Sequence, residues 1–134
     1  MSRIKTREYA MTKLFEMEIQ GRLVYNDKIT LEISEKIGDP AEYEYAADVI
    51  KQYVDHQDKI DDLIKAHSQK WDITRFSKVD LSIIRLALAE ILYIDTIHES
   101  VSINEAVNLS KRFSDDDAYK FVNGILGNIL RSMT

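Results

Sequence analysis

The chain has 134 residues and no cysteine, so it is long enough for one domain with its own core, and neither disulfides nor thiolate metal ligands hold it together. One proline, four glycines and abundant Glu, Lys, Leu, Ile and Ala favour helix over strand. A formal net charge of −5 would argue against nucleic acid if it were evenly spread. It is not: residues 1–13 carry Arg3, Lys5, Arg7 and Lys13 against Glu8, whereas residues 27–62 hold eleven acids against four lysines, and the half after Leu63 is balanced. A chain sorted in this way still has basic surface to offer RNA. No apolar signal segment opens it, which leads us to expect a soluble, cytoplasmic protein.

The first predicted helix runs from about residue 2 or 3 to 20, with Ala10, Leu14 and Met17 on its inner face and Gly21 as its stop. A short helix over residues 27–37 points Ile29, Ile33 and Ile37 inward. Asp39, Pro40 and Glu42 then form a strong start signal, with the acid as cap, the proline at the first helical position and the glutamate three residues on. Apolar residues at helical spacing continue from Tyr43 to His67, either as one long helix or as two broken near residues 55–58. Residues 70–76, KWDITRF, connect onward and supply the only tryptophan, which we expect to pack against the next helix.

That next helix, VDLSIIRLALAEILYI over residues 79–94, is apolar around almost its full circumference. Such a helix has to be buried on all sides and should be the central post of the fold. It is short for a membrane span and carries Asp80, Arg85 and Glu90. Asp80 suits the positive end of the helix dipole, with Ser77 as cap. Arg85, in the middle, is harder to place, since a buried charge needs a partner or a route to the surface. After a loop containing His98, Ser102 and Glu105 form a capping box that opens a helix to about Phe113, with Ile103, Ala106, Val107, Ser110 and Phe113 facing in. The last helix follows residues 114–117 and ends near Met133. Gly124 and Gly127 lie inside it, each costing about 1 kcal/mol relative to alanine, so close backbone approach is the expected compensation. The expected fold is all-α, about seven helices in two small packed bundles of a single domain, residues 1–55 and 56–134 in round terms.

Enzymatic chemistry finds no footing. His56, His67 and His98 are far apart, with no paired-histidine metal motif and no serine or cysteine in a nucleophile setting. Asp115, Asp116 and Asp117 lack the alternating ligands of a calcium loop and read as an acidic helix start. No metal, cofactor or small-molecule substrate is expected. The basic residues offer more. Arg3, Lys5 and Arg7 with Lys13 and Phe15, and a second group of Lys111, Arg112 and Lys120 beside Phe121, combine phosphate-neutralising cations with rings on which a base can stack.

The segments IIRLALAEIL, VSINEAVNLSKRF and KFVNGIL resemble the C-terminal half of the NusB family of bacterial transcription antitermination factors, and RIKTREYAMTKLF resembles that family's basic first helix. The resemblance spans nearly the whole chain. It implies non-catalytic binding of the boxA sequence in single-stranded ribosomal RNA transcripts, together with the ribosomal protein NusE, in an RNA polymerase antitermination complex. Carried across by position, RNA contacts fall on Arg3, Lys5, Arg7, Phe15, Arg85, Lys120 and Phe121, and the contact to NusE on Asp80. Asn104, Glu105, Asn123 and Gly124 match signature positions, which we read as caps, polar links and tight packing. The chain departs from the family pattern at Ile4 and Thr6, which dilute the basic run, at His98 in place of a common proline, and at Gly127 in place of an aspartate. Two alternatives are a detached NusB-like domain of the kind that precedes ribosomal RNA cytosine methyltransferases, and a helical adaptor with protein contacts only. The first would need a following nucleotide-binding domain, and the chain ends at Thr134 just past its last predicted helix.

Overall fold

In a computed structural model, which describes residues 2–68 and 76–133, the described residues form seven α-helices. They are α1 (Arg3–Gln20), α2 (Asp27–Lys36), α3 (Pro40–Asp55), α4 (Gln57–His67), α5 (Lys78–Tyr93), α6 (Glu99–Phe113) and α7 (Ala118–Ser132). The helix ends follow from local chemistry. Ser2 caps α1 by accepting from the Lys5 amide, and Gly21 closes it in the left-handed region at φ 68°, where a side chain would be strained. Asp39 caps α3 with Pro40 at its first position.

The stretch from Tyr43 to His67 is two helices, parted at His56. Its ring stacks on Tyr93 at 3.8 Å between centroids, and its Nδ1 lies 3.0 Å from the Gln52 carbonyl. The break turns the acidic α4 away from α3 and onto α5 and α7. The expected packing of Trp71 lies outside the described residues; Phe76, which ends the same segment, is buried.

Every residue of α5 from Leu81 to Glu90 is buried. The helices α1 and α3 pack on one side of it and α6 and α7 on another, while α2 lies on α3. Leu14, Ile33, Ile50, Tyr53, Ile84, Leu88, Leu126 and Ile129 belong to one continuous core with α5 through its middle. Each large apolar side chain removed from water contributes roughly 1.5–3 kcal/mol.

Four expectations about the C-terminal helices are corrected. α6 begins at Glu99, one turn before the expected Ser102, with the His98 ring nitrogen accepting from the Ser100 amide as its cap. Ser102 is instead inside the helix and buried, because its hydroxyl donates to Glu90. Phe113 faces out, at 44% exposure, where the helix runs past the core. Finally, no close approach explains the α7 glycines: a Cβ at Gly124 would meet nothing within 4 Å, and one at Gly127 would meet only the Arg131 guanidinium, at 3.3 Å. Gly124→Ala should therefore stabilise the protein by about 0.5–1 kcal/mol, read as a higher urea midpoint with unchanged slope. Gly127→Ala should gain less.

Candidate nucleic-acid interface

Helical geometry splits the basic run of α1. At 100° per residue, Arg3 and Arg7 fall on one face and Lys5 on the opposite one. The arginines point inward. Arg7, only 5% exposed, makes two parallel bonds to the Glu90 carboxylate, Nε to Oε2 at 2.9 Å and Nη2 to Oε1 at 3.1 Å. Glu90 also accepts from the Tyr45 hydroxyl and, at 3.0 Å, from Ser102 Oγ. One buried carboxylate thus ties together α1, α3, α5 and α6. Burial alone would lower the Arg7 pKa, but the hydrogen bond and charge of Glu90 raise it above its ordinary value. Burial and the Glu90 charge push the Tyr45 hydroxyl far up. Arg3 grips Glu42 in the same two-bonded manner, at 2.9 and 3.1 Å, with its guanidinium 4.1 Å from the centre of the Tyr45 ring. Glu42 therefore spends its carboxylate on Arg3 and not on the α3 cap.

Arg85 is also inside. Its Nε and Nη2 each lie 3.0 Å from an Asp61 oxygen, its Nη1 is 3.3 Å from Glu18, and its guanidinium sits 5.1 Å from the centre of the Tyr53 ring. Tyr53 donates to Asp61 at 3.1 Å, and Lys78 reaches Glu18 at 3.3 Å. This second knot ties α1, α3, α4 and α5. Arg7 and Arg85, expected among the RNA contacts, are placed inside, with both guanidiniums neutralised and shielded by carboxylates of neighbouring helices. The signal that could have warned of this was Glu90 and Asp61, acids in otherwise apolar helical faces.

The exposed cations lie elsewhere. Lys5, with 61% of its side chain exposed, and Arg112 of α6 both pair with Glu8, the lysine at 3.8 Å. Lys5, Glu8, Thr12 and Phe15 recur at three- and four-residue steps, so they form one outward stripe of α1, with Phe15 half-buried. Lys120 at the start of α7 is 67% exposed and pairs only loosely with Asp117, at 3.5 Å. Phe121 is turned about 100° away from it along the helix. It meets Phe76 edge-on at 5.0 Å and lines a depression of about 540 Å³ that also holds Asp80, Asp115, Asp116 and Asp117. Asp80 is half-buried there and accepts from Ser114 Oγ at 2.6 Å. Four carboxylates around two aromatic rings repel phosphate and suit a cationic side chain. Lys5 and Arg112 meet through Glu8 near the end of α6, Lys120 stands at the start of α7, and Asp80 and Phe121 line the depression at the turn between these two helices.

The family model of NusB matches residues 4–131. The chain belongs to the NusB family. It is 38% identical to the transcription antitermination protein NusB of Bacillus subtilis over 96% of this chain and 95% of that one. Against the same protein of Macrococcus caseolyticus, identity is again 38%, over 98% of each chain. Among solved structures, NusB of T. maritima superposes with a TM-score of 0.87 at 33% identity, covering 98% of this chain and 92% of that one. A structure described as antitermination factors NusB and NusE in complex with dsRNA superposes with a TM-score of 0.82 at 27% identity, covering 98% and 99%. NusB proteins are non-enzymatic, RNA-binding factors of transcription antitermination, and this chain is one of that family. Among the described residues, no helix is long and apolar enough to cross a membrane.

Two stability predictions follow from the buried knots. Arg85→Ala leaves Asp61 with only the Tyr53 hydroxyl and Glu18 with only Lys78, and should cost about 3 kcal/mol in chemical denaturation. Arg7→Ala, which strands Glu90, should cost a similar amount. The Glu18 carboxyl supplies a pH signature. Burial would raise its pKa, but Arg85 and Lys78 outweigh that and hold it below the ordinary carboxylate value. A pKa lowered by folding gives stability that is present above the unfolded value and lost as pH falls through the folded one. Glu18→Gln should therefore flatten the stability profile below about pH 4.5, which denaturation midpoints at stepped pH will show.

Proposed function

We propose that this chain binds boxA RNA of ribosomal transcripts together with NusE, in the bacterial cytoplasm, and brings the pair into an RNA polymerase antitermination complex. The observation that carries this reading is the sorting of charge at the α6–α7 turn: exposed cations on one side, an acidic aromatic depression on the other. Lys5, Arg112 and Lys120 neutralise phosphates, and Phe15, about 15 Å along α1 from Lys5 on the same outer stripe, offers a ring to an unstacked base. Arg3 keeps 38% of its side chain exposed and adds positive potential at the edge, although its guanidinium is held by Glu42. Asp80 and the neighbouring aspartates receive basic side chains of NusE, with Phe121 forming the boundary between protein and RNA. Arg7 and Arg85 contribute only by holding α1 and α5 in position.

Three phosphate contacts at about −0.7 each give a log-log salt slope near −2 for RNA binding by the chain alone. Lys5→Ala should weaken boxA binding and reduce that slope by about 0.7, measured by fluorescence anisotropy across salt concentrations. Asp80→Asn keeps the bond from Ser114 but removes a charge, and should weaken NusE recruitment while leaving RNA binding by the chain alone intact. A binding constant indifferent to salt, or NusE affinity indifferent to Asp80, would overturn the respective half of the reading.

A further inference from the structure

A second depression, also about 540 Å³, runs along the outer seam of α6 and α7 and is not used by the interface described above except at Lys120. Its chemistry is the opposite of the acidic one. Its lining includes Lys111 and Lys120 and, among the described residues, no carboxylate, although the chain as a whole carries −5. Ile103 and Val107 supply an apolar floor. Tyr119 is half-exposed, with Lys111 Nζ 4.9 Å and Lys120 Nζ 6.0 Å from its ring centre. Asn104 and Asn123 face each other's helix across the seam, both exposed, and neither side-chain amide bonds to a described residue. Our reading of these two asparagines as structural links is therefore corrected: they leave both donors and acceptors free.

We propose that this seam holds a short run of single-stranded RNA lying next to boxA in the transcript, an extension that rests on the function proposed above. A ring flanked by two cations and followed by free amides is what a nucleotide strand requires: stacking on Tyr119, phosphates at Lys111 and Lys120, and base edges read by Asn104 and Asn123. The absence of any acid from the lining selects a polyanion over a basic peptide, which would find its charge matched only in the acidic depression. Length fits as well. From Ser100 to Lys111 the groove follows α6 for about 16 Å at 1.5 Å per residue, enough for a few nucleotides. Lys120 stands at the point where the strand would pass from one site to the other.

The test compares a minimal boxA oligonucleotide with one extended by several nucleotides on either side, using the intact chain and a triple variant, Asn104→Ala, Tyr119→Leu and Asn123→Ala. Extension should tighten binding to the wild type by roughly tenfold. The triple variant, with an unchanged melting temperature, should bind the minimal oligonucleotide like the wild type and lose the gain from extension. Independently of any variant, the side-chain amide resonances of Asn104 and Asn123 should shift with the extended RNA and not with the minimal one. No gain on extension, a gain that survives in the triple variant, or amides that respond to NusE alone would overturn the seam as an RNA site. Loss of minimal boxA binding by the wild type would instead overturn the function on which it rests, and tight binding of extended RNA in that case would leave the seam standing.

Discussion

The structure depends on how it neutralises charge inside its core. α5 is wrapped on all sides, yet it carries Arg85 and Glu90, each of which would be prohibitively costly to bury alone. Each is answered from other helices: Glu90 by Arg7, Tyr45 and Ser102, and Arg85 by Asp61 and Glu18. Apolar contacts would tolerate small slips of one helix along another, because any methyl group will serve. Two-pronged guanidinium and carboxylate pairs do not, since their donors and acceptors must meet in a plane. The two knots, five residues apart on α5, therefore fix the axial and rotational setting of α1 against the post, and with it the direction in which Lys5 and Phe15 point.

Much of this architecture was legible in the order of residues. Helix ends at Ser2, Gly21, Asp39 and Pro40 are written in local chemistry, and the all-round apolar pattern of α5 identified the post. What local pattern did not supply was which long-range partner a polar side chain would find. Ser102 and Glu105 have the spacing of a capping box, but Glu90 lies opposite Ser102 in space, and a buried acceptor outweighs an exposed cap. Whether the stretch through His56 would continue or bend was similarly undetermined, because no proline or glycine marks the break and the ring that receives His56 is 37 residues away.

The candidate site was legible only in part. The residues carried over from the family divide into Lys5, Phe15 and Lys120, which keep some outward face, Arg3, which is shared between a carboxylate and solvent, and Arg7 and Arg85, which are enclosed. Position matching cannot make that division, because it transfers a residue's place and not its partners. The stripe that joins Lys5 to Arg112 through Glu8 is formed by helices far apart in sequence. Nor did composition distinguish Lys120 from its neighbour Phe121, which one step of helical rotation sends to an environment of opposite sign.

The alternating placement of Arg3, Lys5 and Arg7 bears on how related chains are compared. Because every second residue of a helix changes sides, a tally of arginines near the start of such a protein mixes anchors of the fold with groups that face solvent. A relative richer in basic residues here gains exposed positive charge only where they fall in phase with Lys5; those in phase with Arg7 need a matching acid across the interior, or they loosen the helix that presents the rest.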